Sequence, residues 1–167
     1  MKEKQITEYN KNFFTEIDKT WGLITAGNKE VGYNGMTVSW GGIGEIWGKF
    51  VAFIFVRESR YTHEILDKSN NISISFLPNS LKSAHGVFGK LSGRDLDKFK
   101  ETGLTPIYDD TLDTYYVKEA DTVFLMKAIY NQNIPYDNLP EDVKKRFYPT
   151  KDIHTMYVCE ILKYLEK

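Results

Sequence analysis

The chain has 167 residues, 27% of them charged, and a formal net charge of −1, which suits one domain over 1–167 and excludes a global field that draws a protein to nucleic acid or an anionic membrane. Its single cysteine, Cys159, excludes an intrachain disulfide framework and a cysteine-rich metal site. No apolar run is long enough to span a bilayer or to serve as a secretory signal, so a soluble cytoplasmic protein is expected.

In chain order, Phe13, Phe14 and Ile17 recur at helical spacing and predict a short helix within 5–19. Trp21–Ala26 reads as a first strand ended by the Gly27-Asn28 turn signal, and Met36–Trp40 alternates as a second. Val51–Val56 is apolar at every position, the pattern of a strand covered on both faces. Arg60–Asp67 switches to helical spacing, with Ser59 or Thr62 placed to cap it. Ile72–Phe76 alternates strictly and predicts a strand that packs one face only.

Further on, Asp95–Thr102 reads as a short helix with Gly103 as its left-handed stop. Thr122–Tyr130 and Met156–Tyr164 are two more strand candidates, the second of which Lys163 leaves open to a helical reading. Pro135 and Pro140 bracket a loop, followed by a helical turn or two over Glu141–Phe147. Six or so strands with short helices between them argue for a mainly β fold, a closed or split β-barrel, since a doubly wound fold needs longer helices in regular alternation.

Two segments can carry chemistry. Thr37 and Ser39 alternate on a strand and point to one face, while Arg60 and Thr62 sit at the start of a helix. A phosphate monoester needs such a set, because it is held by charge-assisted hydrogen bonds and free N–H groups. By spacing alone the same residues also read as ordinary strand hydroxyls and a surface charge. The second segment is Gly89–Phe99, in which a glycine turn lets backbone approach a ligand and Ser92 or Arg94 can donate to it. It is neither a Walker nor a dinucleotide glycine motif, and a plain strand-to-helix connection would look the same.

Taken together, Met36-Thr37-Val38-Ser39-Trp40, Val56-Arg57-Glu58-Ser59-Arg60-Tyr61-Thr62 and Ser92-Gly93-Arg94-Asp95-Leu96-Asp97-Lys98-Phe99 resemble the flavin reductase-like family, FMN-binding split β-barrel proteins that include flavoredoxin. The resemblance implies a Greek-key-like split barrel that binds one FMN per subunit near the interface of a homodimer. Electrons would come from NAD(P)H or from a redox protein. Carried over by position, Thr37, Ser39, Arg60 and Thr62 would hold the phosphate, and Met36, Val38 and Trp40 would lie along the flavin. Arg57, Ser59 and Tyr61 belong to the second motif, and Ser92, Gly93, Arg94 and Lys98 would complete the site. The family often has proline where Phe50 and Glu58 stand, and an aromatic residue where Ile153 separates Asp152 from His154.

With the redox chemistry supplied by a flavin, no protein nucleophile is required, in keeping with the lack of a Ser/His/Asp constellation. Arg94 or Lys98 would favour the reduced, anionic flavin. His63, His85 and His154 have no paired metal-ligand spacing, and the family match brings only His154 toward the flavin. Cys159 reads as a buried hydrophobe, while Trp47 is open to a core, interface or lid role. A flavoredoxin-like electron carrier is the second reading. A β-barrel module binding a sugar or peptide through its aromatics, without enzymatic activity, is the third.

Overall fold

The computed structural model describes residues 1–167. The chain runs through β1 (Lys2–Lys4), α1 (Phe13–Thr15), β2 (Gly22–Asn28), β3 (Gly32–Val38), β4 (Gly41–Ile46), β5 (Lys49–Arg57), α2 (Tyr61–Leu66), β6 (Asn71–Phe76), α3 (Ala84–Lys90), α4 (Lys98–Thr102), β7 (Pro106–Asp109), β8 (Thr114–Val117), β9 (Thr122–Asn133), α5 (Glu141–Phe147) and β10 (His154–Glu166). One antiparallel sheet carries the order β3-β2-β6-β9-β10-β5-β4, with β1 added to β10, and β7 pairs with β8 as a separate hairpin.

The fold is mainly β with short helices, arranged as a split barrel. After β5 the chain passes through α2 and rejoins the sheet at β6, with β9 and β10 between the two strands. Two irregularities in the β9–β10 register, at Val158/Cys159 and Ile161/Lys163, supply the bends that a curled sheet needs. Strand alternation then divides the apolar residues. Ile24, Met36, Ile54, Ile74, Phe124, Met126, Tyr157 and Cys159 fill the inside, closed by Ile65 and Leu66 of α2. On the opposite face Leu23, Val123, Leu125 and Leu165 pack with Phe88 of α3, Phe99 of α4 and Val117 of β8.

Several expectations need correction. The N-terminal helix is only the single turn α1, followed by a π-helical turn over Glu16–Thr20, and Phe14 is 85% exposed. β2 runs through Gly27 and turns after Asn28, whose side chain accepts from the N–H groups of Glu30 and Val31. The glycine-rich segment before Trp47, for which no strand is expected above, is strand β4. It joins β5 through a two-residue turn in which Trp47 and Gly48 both have positive φ (56° and 70°), as such hairpins require.

β5 and β6 exchange the roles their patterns suggest. β6 is covered on both faces, because Ser73 Oγ donates to Tyr115 O (2.7 Å) and Ser75 Oγ accepts from Val117 N (3.3 Å) of the overlying hairpin. β5 is covered on one face only, leaving Phe53 and Phe55 half-buried. α4 begins at Lys98, capped by Asp97, and ends at Gly103 in the left-handed conformation (φ 70°), the stop its sequence predicts. The Met156–Tyr164 candidate is strand, within β10, and α5 lies where expected.

Candidate functional site

Two adjoining clefts gather most of the candidate residues. The first, about 200 Å³, is lined by Asn34, Ser59, Arg60, Tyr61, Lys90, Leu91, Ser92, Gly93, Arg94 and Lys98. The second, about 230 Å³, is lined by Met36, Thr37, Val38, Ser39, Trp40, Phe55, Arg57 and His154. Gly89, at the end of α3, stands between them. A Cβ there would sit 3.7 Å from Thr37 Cβ, and its carbonyl accepts from Arg60 NH1 at 2.8 Å. Neither cleft alone reaches the ~300 Å³ at which ordinary ligand sites begin, so a cofactor-sized ligand would occupy both.

The first cleft is cationic by construction. α2 presents Arg60, whose guanidinium also donates to Phe88 O at 3.0 Å. α4 presents Lys98, only 3% exposed, with nothing but the Leu91 carbonyl at 3.4 Å as an acceptor. Lys90 and Arg94 stand at the rim, where Arg94 pairs with Glu64 and donates to Ser59 O at 3.4 Å. Burial, aided by the Arg60 charge, lowers the Lys98 ammonium to about 8, and burial also lowers Arg60. Lys98 has no carboxylate to answer it, and Arg60 has only the field of Asp152 to offset its burial, so a bound anion would supply the missing counter-charge. α2 has six residues, so side chains rather than a helix end carry the positive potential.

The loop before α4 is shaped by close approach. A Cβ on Gly93 would lie 2.1 Å from Asn34 Oδ1, so only glycine lets this backbone reach the cleft. Asn34 is held in turn by its Nδ2 donating to Thr62 Oγ1 at 2.7 Å.

The second cleft is aromatic and hydroxylic. Trp40 lies across from His154, ring centres 4.9 Å apart, and edge-on to Phe147 at 5.1 Å. Thr37 Oγ1 donates to His85 O at 3.0 Å and faces His85 Nδ1 at 3.1 Å. His85 Nε2 is buried without a partner, so the proton belongs on Nδ1, donated to Thr37. Burial lowers His85 and His154 to about 4, leaving both rings neutral at ordinary pH.

The placement redistributes the sequence candidates. Of the four residues assigned to a phosphate, only Arg60 lines the cationic cleft. Thr37 and Ser39 line the aromatic one, because β3 ends at Val38 and Ser39 lies in the corner before β4. Thr62 is fully buried and lines neither; its hydroxyl anchors Asn34. Ser59, Tyr61, Ser92, Gly93, Arg94 and Lys98 come together as their motifs suggest. Arg57 donates to Phe147 O at 2.9 Å and to Asp152 O, so it secures the approach to β10 while bordering the cleft. Ser59 does not cap α2, its hydroxyl donating to Asp152 Oδ2 at 2.7 Å.

Asn34, Phe55, Lys90 and Leu91 are lining residues outside the sequence candidates. Lys90 sits beside the Ser92 motif, and Asn34 opens the stretch that contains Thr37. His63 joins Thr155 (2.8 Å) and Asp67 (3.2 Å) away from both clefts, and no group of three or more His, Cys, Asp or Glu side chains could hold a metal. Cys159 is fully buried, its thiol raised to about 12 by burial, and Trp47 is 61% exposed at the β4–β5 hairpin tip. No helix is long and apolar enough to cross a membrane.

A family model described as the flavin reductase like domain matches residues 15–166. No curated protein matches the chain. Among solved structures it is similar to the flavoredoxin of Desulfovibrio vulgaris (Miyazaki F), with a TM-score of 0.70 at 21% identity over 100% of this chain and 77% of that one. It is also similar to an FMN-binding protein from Thermus thermophilus with bound 1-cyclohex-2-enone, with a TM-score of 0.69 at 17% identity over 99% and 80%. An NADH:FAD oxidoreductase of Streptomyces globisporus C-1027 gives a TM-score of 0.65 at 14% identity over 89% and 75%. At these identities the likeness to each is one of fold.

Proposed function

Because the chain belongs to the flavin reductase-like domain family, we propose that it is an FMN-binding oxidoreductase that takes electrons from NAD(P)H and passes them through the flavin to an acceptor. The observation that carries this is the pairing of a cationic cleft, with Lys98 buried and lacking a carboxylate, and an aromatic cleft, linked through Gly89, which lies beside Thr37 and accepts from Arg60. A phosphate beside a flat, mostly apolar ring system has that division of character.

In this reading Arg60, Lys90, Arg94 and Lys98 hold the phosphate, with Ser92 and the backbone at Gly93 as further donors. Thr37, Ser39, Trp40, Phe55 and His154 line the place of the ring system. The bound flavin would supply the hydride- and electron-accepting chemistry, and the protein supplies position, charge and exclusion of water. The β4–β5 end of the sheet exposes Trp47 and Phe50, with Trp47 edge-on to the exposed Tyr130 of β9 at 6.1 Å, and Phe55 further along β5 lines the aromatic cleft. We assign this end of the sheet to a second copy of the chain, which would complete the cleft in a homodimer.

Absorption spectra before and after NADH or NADPH, taken without oxygen, test the proposal. The protein should be yellow, or become so with FMN, and either nicotinamide should bleach it. Bound FMN that no nicotinamide reduces would leave the flavoredoxin-like reading, in which a protein donates the electrons. A colourless protein whose melting temperature FMN does not raise would remove flavin binding altogether.

A further inference from the structure

Tyr148, the residue that follows α5, is 3% exposed, and its hydroxyl lies 2.8 Å from His154 Nδ1. That nitrogen is the hydroxyl's only hydrogen-bond partner in the protein. A buried O–H with one acceptor in reach donates to it, since the reverse arrangement strands the hydroxyl proton without a partner. In a neutral imidazole Nδ1 accepts only when the proton resides on Nε2. The tyrosine is itself held in place. Arg57 lies over its ring at 5.2 Å and donates to the carbonyl of Phe147, one residue earlier.

The free nitrogen of His154 has a definite outlook. Nε2 makes no hydrogen bond within the protein and, unlike His85 Nε2, is not among the sealed polar atoms that lack a partner. His154 is part of the aromatic cleft wall, with the Trp40 ring beside it. The two histidines of this region thus carry their protons on opposite nitrogens. His85 spends its N–H on Thr37, whereas the N–H of His154 is left over.

We propose that Tyr148 is a positioning residue that locks His154 in the Nε2–H tautomer, so that the ring offers a neutral N–H donor to an uncharged acceptor atom in the cleft. The acceptor class, a carbonyl oxygen or ring nitrogen of the flavin, rests on the functional reading above; the tautomer lock does not. A neutral donor polarises such an atom without adding a charge that would have to be desolvated.

The test uses the full chain labelled with 15N-histidine, with His154 assigned through His154→Gln and long-range proton–nitrogen correlations recorded at neutral pH. His154 should show an unprotonated Nδ1 and a protonated Nε2, and Tyr148→Phe should turn this into a mixture of tautomers. FMN should then shift the Nε2 and Hε2 resonances. A protonated or averaged Nδ1 in the parent protein, or an unchanged tautomer in Tyr148→Phe, overturns the lock; if that variant does not fold, the parent spectrum alone decides. FMN that binds without moving Hε2 overturns the donor role. If FMN does not bind, the functional reading fails while the tautomer comparison still judges Tyr148.

Discussion

A lysine ammonium as deeply buried as Lys98, with a single carbonyl as acceptor, costs the folded state free energy, and the neighbouring Arg60 charge adds to that cost. With Lys98 lowered from 10.5 to about 8, the unfolded chain holds a proton between those values that the native state has lost. Stability therefore rises with pH across that window, and an anion bound at lower pH offsets the penalty. FMN affinity measured by calorimetry should fall as pH passes above about 8, and Lys98→Met should remove that limb. At pH 7 Lys98→Met and Arg60→Ala should each weaken binding by ~1.5–3 kcal/mol, the range for hydrogen bonds to charged groups. Unchanged affinity in both variants would take the phosphate out of this cleft. Gly93→Ala tests the opposite wall. Its methyl would displace Asn34 and Tyr61, and fluorescence titration should show FMN binding at least about 10-fold weaker, ~1.4 kcal/mol. The motifs were legible as residue types, but how they divide between two clefts was not. Thr37, Ser39 and Arg60 have the same chemistry in either place, and only the end of β3 at Val38 and the reach of α3 separate them.

The hairpin β7–β8 is the element on which the outer core depends, and the serines of β6 fasten it. Ser73→Ala removes a donor to Tyr115 O in a fully buried position. It should cost about 1–3 kcal/mol, read as a lower urea midpoint with an unchanged slope. A shift below ~0.5 kcal/mol would mean that the hairpin is held by its apolar contacts alone. The same serines explain which strands the sequence misreports. Alternating serine signals a solvated face unless another backbone lies over it to bond the hydroxyls, and nothing local to β6 announces β8, some forty residues away. β5 fails in the converse way, because an unbroken apolar run looks buried whether or not anything covers Phe53 and Phe55. β4 escaped because three glycines in Gly41–Gly44 resemble a loop, and its strand character comes from pairing along β5. β9, α5 and the Gly103 stop needed no distant partner to be recognised, since length, pattern and cap chemistry lie within each segment, whereas β10, which Lys163 left open to a helical reading, is fixed as a strand by its pairing with β5 and β9.

For the whole molecule, the two neutral histidines beside the aromatic cleft set the response to acid. Burial, with the Lys82 charge near His85 and the Arg57 charge near His154, lowers each from 6.5 to about 4. Between those values the unfolded chain takes up two protons that the native state refuses. Each therefore contributes stability that is present above 6.5 and lost as pH falls toward 4, on the order of 1–2 kcal/mol per histidine once solvent screening is allowed for. Against a total stability of roughly 5–15 kcal/mol, the pair is a measurable share. The carboxyls of Asp109, Asp113 and Glu166, held below their ordinary range, act in the same direction at lower pH. Urea midpoints should thus decline steadily from pH 6.5 to 4, ahead of carboxylate titration. In His85→Gln/His154→Gln the starting midpoint is expected to be lower and the decline over that interval to flatten. The slope is the diagnostic quantity, since any damaged core lowers the level while only the loss of these two titrations removes the pH dependence. A double variant that keeps the parent slope would place the acid sensitivity elsewhere in the chain.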